Sequence, residues 1–290
     1  SDDNLCATID TIRGAATRIA PHVHRTPVMT CEAIDVLSNR QVYFKCELFQ
    51  KTGSFKARGA CNAALTAPKD SNVLVTSSSG NHAQGLAWAA KKVGMRAHVV
   101  MPKNSSTVKV AAVRGYGAEI TFCEPTLESR QSTAKVMVEQ LNGLLIHPSD
   151  NPAVISGQGT AGLELIEQVR DMAVGELDAI IVPVGGGGLI SGVTIAAKAM
   201  CPGIRIIGAE PLEADDAFRS KACGRLCGHD EPPLTIADGL RTILGTHTWP
   251  VVRDLVDDIV TVSEGDIRKW MRVVYERMKL AIEPSSAVGV

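Results

Sequence analysis

From Val73 to Val262 the sequence keeps returning to one unit: a short apolar run rich in Val and Ile, a loop bearing glycine, serine or asparagine, then a helical stretch. Strand-like runs at 73–76, 97–101, 119–122 and 144–146 alternate with helical patterns at 83–93, 108–114 and 126–141. A second set follows. It has a helix near 159–169, a strand at 179–183, a helix at 189–200, a strand at 204–209 and a short helix after Pro211. An irregular connection at 223–233, a segment 251–258 leading to a strand near 259–262 and a helix at 264–280 complete it. Ser263 caps that last helix, with Asp266 at its third position. Runs this short and apolar have no polar face for water, so they belong in parallel sheets covered by helices on both sides. The expected fold is α/β with two open parallel-sheet units. One, 69–148, is inserted into a larger one built from 1–68 and 149–290.

Such a core must be aliphatic, because hydrophobic residues make up 45% of the chain and aromatic residues only 4%. A net charge of −1 argues against an electrostatic nucleic-acid binder or a membrane-surface binder. No signal peptide opens the chain and no apolar run is long enough for a bilayer, so a cytoplasmic protein is expected. The eight cysteines show no framework spacing and read as free thiols. Cys223-x-x-x-Cys227-x-His229 lacks the second pair of a zinc site.

Ahead of the alternating region, 4–21 has helical spacing ended by Pro21, and 41–46 reads as a short strand. Then comes Lys51-Thr52-Gly53-Ser54-Phe55-Lys56, a turn with Ser54 as N-cap of a helix reaching about Leu65. Lys56 is read either as a solvated surface lysine or as an amine whose pKa is lowered by the helix N-terminus and by burial. In open α/β sheets, ligands sit at the carboxyl ends of strands, so the loops there decide between the two.

Three loops stand out. Gly185, Gly186, Gly187 and Gly188 follow a strand and precede a helix, exposing backbone N–H groups as a phosphate nest. Ile190 stands where the dinucleotide fingerprint needs a small residue, and no Gly-Lys-Ser/Thr follows. Ser77, Ser78, Ser79, Gly80, Asn81 and His82 offer donors for a carboxylate or a ring oxygen, or else simply cap a helix. Glu210, Glu213, Asp215 and Asp216 suit a hard cation, or else an acidic helix N-terminus. A phosphate nest, a lysine and a hydroxyl-rich loop on separate strand ends converge on pyridoxal phosphate, which moves Lys56 to the active reading.

With these residues in view the chain resembles the fold type II pyridoxal-phosphate enzymes, on the branch holding the serine racemases and the serine/threonine dehydratases. The resemblance rests on 44–56, on Ser78 to His82, on Gly185 to Gly188, on Ile236-Ala237-Asp238-Gly239, on 249–254 and on 276–279. It implies a cofactor in the cleft between the two units. Lys56 is then its covalent anchor and the base on one face of the substrate, with Ser79 serving the other face. Phe55 packs beside the ring, Asn81 contacts the ring oxygen and the four glycines bind the phosphate. Ser78, Ser79, His82, Arg130, Asp238 and Thr242 surround the substrate. Glu210, the Ala214 carbonyl and Asp216 hold Mg2+, or Ca2+ or Mn2+. Lys51, Thr52, Arg277, Lys279 and Glu283 contribute to an ATP site at a homodimer interface, with ATP as activator. The implied activity is interconversion of L- and D-serine with elimination of serine to pyruvate and ammonia. The alternatives are a dehydratase without racemisation, an aspartate racemase, and a non-catalytic phosphate- or nucleotide-sensing protein. The loop Pro148-Ser149-Asp150-Asn151-Pro152 lacks the serine run of the aspartate racemases and favours serine as substrate. The family pattern also calls for a Ser-Gly-Gly-Asn segment beyond Val290, so C-terminal residues are expected to follow.

Overall fold

The computed structural model describes residues 5–290 and contains two parallel sheets and a small antiparallel strand pair. The first sheet comprises β3 (Val73–Ser77), β4 (Arg96–Pro102), β5 (Glu119–Cys123) and β6 (Leu144–Leu145), in the order β5-β4-β3-β6. The second comprises β7 (Ala179–Pro183), β8 (Arg205–Pro211) and β9 (Asp258–Val262), in that order. β1 (Val28–Met29) and β2 (Phe44–Lys45) pair antiparallel before them. The helices are α1 (Ile9–Ile19), α2 (Glu32–Ser38), α3 (Lys56–Leu65), α4 (Asn81–Lys92), α5 (Thr107–Gly115) and α6 (Leu127–Leu141). They continue with α7 (Pro152–Asp171), α8 (Gly188–Met200), α9 (Asp216–Cys223), α10 (Thr248–Asp254), α11 (Glu264–Met278) and α12 (Pro284–Ala287).

Each sheet has its own aliphatic core. Leu74, Val99 and Met101 of the first sheet pack with Ala57, Ala60, Leu86 and Ala87 of α3 and α4. Val182, Ile206 and Ile259 of the second pack with Ile190, Val193 and Ala197 of α8. α7 joins the two. Its Val154 lies in the first core, and its Leu165, Ile166 and Val169 lie in the second. Gly59 of α3 and Gly157 of α7 allow the close approach, since a Cβ on Gly157 would fall 2.6 Å from the Gly59 Cα.

Several local expectations shift for identifiable reasons. α7 begins at Pro152, not near 159, with Asn151 accepting the Ala153 and Val154 amides. Its glycines are contact points between helices. α1 starts at Ile9 behind a capping box formed by Thr8 and Thr11. The expected strand at 41–46 is confined to Phe44–Lys45 because the chain enters a 3-10 turn at Glu47. The segment before β9 is α10, and α2 was not expected, since its Val36 and Leu37 face outward. α11 ends at Met278, where Lys279 takes φ 59. Its cap is as expected, with Ser263 accepting the Asp266 amide.

Candidate active site

α3 opens directly at Lys56. Thr52 (φ 60) and Gly53 (φ 77) turn the chain out of the preceding 3-10 segment, and Ser54 is extended. Ser54 is therefore not the helix N-cap expected, a position held by Phe55. Its hydroxyl still accepts the Lys56 amide at 3.3 Å. The Lys56 Nζ donates to the Pro148 carbonyl at 2.7 Å and lies 5.3 Å from the centre of the Phe55 ring. Burial lowers its pKa from 10.5 to about 8, with Glu283 opposing the shift.

Lys56 faces a cleft of about 2890 Å³, also lined by the serine loop and all four glycines. All four are tightly enclosed, Gly185 least so. A Cβ would meet the Gly239 carbonyl at 3.1 Å from Gly185, the Ser149 hydroxyl at 2.1 Å from Gly186 and Leu244 at 2.8 Å from Gly187. From Gly188 it would meet the Ser149 carbonyl at 2.8 Å. Gly187, at φ 84, is the N-cap of α8, so the loop delivers its backbone to the positive end of a 13-residue helix. Thr248 fixes the loop from behind, its hydroxyl donating to the Gly186 carbonyl at 2.9 Å.

Across the cleft, Ser78, Ser79, Asn81 and His82 all line the same space, at the end of β3 and the start of α4. His82 is 2% exposed and neither ring nitrogen has a hydrogen-bond partner. Burial first, then Lys56 and His147, hold its pKa well below the ordinary value, so it is neutral. Arg130 donates to Ser77 at 3.3 Å, Asp238 pairs with Lys109 of α5, and Thr242 lies against the glycine loop. The Asn81 amide donates to both oxygens of Glu283, at 2.9 and 3.1 Å. Glu283 thus sits in the cleft, whereas Lys51, Thr52, Arg277 and Lys279 are outside its lining. Burial raises the Glu283 pKa.

The acidic loop after β8 combines both of its readings. Glu210 is fully buried and accepts the Ala217 and Phe218 amides, which caps α9. Burial pushes its pKa up to about 8. Asp216 is also buried and raised, to about 6, again chiefly by burial. One Asp216 oxygen accepts the Leu244 amide at 2.9 Å; the other has no hydrogen bond, with His229 at 3.4 Å. Ala214 is fully buried beside them in sequence. Among the described residues no group of three or more His, Cys, Asp or Glu side chains is arranged around a metal.

Sequence reasoning missed the loop after β6 as a scaffold. Asp150 accepts the amides of Thr246, His247 and Thr248 at 2.8 to 3.1 Å, tying its loop to the start of α10. The same loop supplies the Pro148 carbonyl to Lys56 and packs Ser149 against Gly186 and Gly188. No local pattern marks this, because the Asp150 partners lie nearly 100 positions away.

The model of the pyridoxal-phosphate dependent enzyme family matches residues 19–290. Serine racemase of Homo sapiens is 46% identical over 290 residues, 98% of this chain and 84% of that one. The structure of maize serine racemase superposes with a TM-score of 0.94 at 50% identity, over 98% of this chain and 85% of that one. A threonine deaminase from T.th. gives 0.93 at 45% identity, over 97% and 90%. These matches run through both sheets, Lys56 and the glycine loop alike, and on that ground the chain belongs to the pyridoxal-phosphate-dependent enzymes of fold type II.

Proposed function

We propose that this protein interconverts L- and D-serine and also removes the β-hydroxyl of serine as water, the resulting enamine then taking up water to give pyruvate and ammonia. The observation carrying this reading is the Lys56 amine, of lowered basicity, facing the glycine loop and the serine loop in one cleft. The cofactor fits these residues. The cradle is too close for a Cβ at Gly187 and Gly188 and leads into the N-terminus of α8, which suits a phosphate, and a lysine with pKa about 8 is a ready nucleophile at neutral pH. Lys56 would anchor the cofactor, Phe55 would pack beside its ring, Asn81 would meet its ring oxygen, and Gly185 to Gly188 would bind its phosphate. When bound, the cofactor ring spreads the negative charge left by removal of the substrate α-proton. Lys56 takes or returns that proton on one face and Ser79 on the other. Ser78, Arg130 and the neutral His82 receive the substrate carboxylate, with Asp238 and Thr242 at its other end. Protonation from the second face inverts the centre, and departure of the β-hydroxyl gives elimination. The strands of the first sheet fall within 73–145, which supports 69–148 as a small unit against a large one of 1–68 and 149–290.

The test is incubation with L-serine, measuring D-serine and pyruvate together. Both products are expected; pyruvate alone would leave the dehydratase reading, which the likeness to threonine deaminase favours. In the same assay Ser79→Ala loses racemisation roughly 100-fold or more while elimination of L-serine changes far less. Equal loss of both removes Ser79 from the second face.

We also place a divalent cation, Mg2+, Ca2+ or Mn2+, at Glu210, the Ala214 carbonyl and Asp216. The support is two buried carboxyl groups with raised pKa and one unpartnered oxygen. Without a cation the folded protein holds protons there that the unfolded chain gives up. Their stabilising effect is full below about pH 4 and is lost as pH rises through about 6 and 8. A cation replaces those protons. Mg2+ at about a hundredfold its Kd therefore adds roughly 2–3 kcal/mol, and its effect on the thermal transition is larger at alkaline than at mildly acidic pH. A cation effect that is absent, or equal at both, overturns this assignment.

Lys51, Thr52, Arg277 and Lys279 are assigned to ATP at a homodimer interface, supported by exposed Phe49 and Tyr275 close by in sequence. Glu283 is placed with the cofactor site instead, because of its bonds to Asn81. Sedimentation with and without ATP checks the assembly, and a monomer in both refutes it. No helix among the described residues is long and apolar enough to cross a membrane. All eight cysteines are unpaired, which supports a cytoplasmic setting.

A further inference from the structure

One pair of thiols has no part in the chemistry above. Cys223 is the last residue of α9, and Gly224 at φ 72 turns the chain back so that Cys227 returns beside it. The two sulfurs lie 3.4 Å apart, and both also point at the Arg225 carbonyl, at 3.5 and 3.6 Å. Cys223 is the exposed cysteine of the chain, whereas Cys46, Cys61, Cys123 and Cys201 are buried. Sulfurs 3.4 Å apart have to close to about 2.05 Å, and the irregular chain after Gly224 leaves room for that adjustment. Among the described residues no third ligating side chain is grouped around them.

We propose that Cys223 and Cys227 form a reversible dithiol–disulfide site that reacts with low-molecular-weight disulfides. Cys223 is the attacking sulfur, being exposed and held below the ordinary thiol range by the backbone of Arg225 and then by Cys227. Cys227 is shifted upward, chiefly by the same sulfur–sulfur hydrogen bond, which suits the resolving thiol. The Cys223 thiolate attacks one sulfur of the reagent, breaks its S–S bond and releases one thiolate, leaving a mixed disulfide. Cys227 then gives up its proton to solvent, attacks the Cys223 sulfur and releases the second thiolate. Two electrons pass from the protein dithiol to the reagent, which leaves as two thiols.

The site is wired to the cleft. The Cys227 amide donates to the buried Ser220 hydroxyl at 2.9 Å, and Arg219 donates to the Gly228 carbonyl at 2.8 Å. Gly228, His229, Asp230 and Glu231, directly after the pair, line the cleft. A bond between the two sulfurs therefore fixes the near end of a segment that borders the active site.

The experiment treats the intact protein with oxidised glutathione, alkylates the remaining thiols and maps unreduced peptides by mass. The expected result is loss of about two of the titratable thiols, a Cys223–Cys227 link, and recovery of both with a dithiol reductant. In C227S the glutathione adduct accumulates on Cys223. In C223S the adduct on Cys227 forms about tenfold more slowly or less. Thiol loss at other cysteines, a persistent adduct with no internal link in the wild type, or equal rates in the two variants overturns the proposal.

Discussion

Lys56→Ala is expected to lower turnover by on the order of 10^4- to 10^6-fold, the scale of removing an enzyme's nucleophile. The loss should come with disappearance of the visible absorbance of the lysine-bound cofactor, while far-ultraviolet circular dichroism stays unchanged. The fold should tolerate the change. Alanine is a good residue for the first turn of α3, and the substitution leaves only the Pro148 carbonyl without its donor, a cost of about 1–3 kcal/mol. Retained absorbance or retained turnover would remove Lys56 from the anchor role. A second readout uses the pKa of about 8. In cofactor-free protein the uncharged amine becomes the majority form as pH rises through that value. The rate of cofactor capture should follow it, climbing below about pH 8 and levelling above.

The second large effect is on stability. Two residues past Lys56, Arg58 has no exposed surface, yet its guanidinium is fully engaged. It donates to both oxygens of Glu47 and both of Glu164, each at 2.8 Å, and reaches the Thr160 hydroxyl at 3.2 Å. Burial works against its charge, and the two carboxylates more than offset that, raising its pKa. Lys45 completes the network, donating to Glu164 at 2.7 Å. Arg58→Met leaves Glu47 and Glu164 facing an apolar side chain and should cost about 3–5 kcal/mol, read as a lower thermal or urea transition. Adding Glu47→Gln and Glu164→Gln should recover part of it, since the uncompensated charges are then gone. A loss below about 1 kcal/mol would mean that water reaches the two carboxylates.

The contrast between these two residues explains what the sequence made legible. Lys56, the glycine loop and the serine loop were readable because their chemistry is local. A lysine behind a turn and hydroxyls at a strand end are each ambiguous alone, and it is their company with four glycines between strand and helix that points to one chemistry. The parallel strands were readable for the same reason, as apolar runs with no polar face. Arg58 was not, because Glu164 lies 106 positions away, and an isolated arginine in a helix reads as surface. The bond between Asn81 and Glu283 was invisible for a related reason, since it spans 202 positions. The first turns of α7 were left out because nothing local shows that Gly157 and Gly159 are pressed against Gly59 and Gly192.

α7 sets the order in which this chain can complete itself during synthesis. The strands of the first sheet are all made by Leu145, but their core lacks Val154 until the start of α7 has emerged. The rest of that helix then presents Leu165, Ile166 and Val169 to a sheet not yet synthesised, whose final strand ends at Val262. For about a hundred residues of elongation, at roughly 5–20 residues per second, that flank of α7 waits for its full cover, with α8 arriving first. That interval of several seconds or more is when the nascent chain is most exposed to aggregation, and when a chaperone would have its chance to bind.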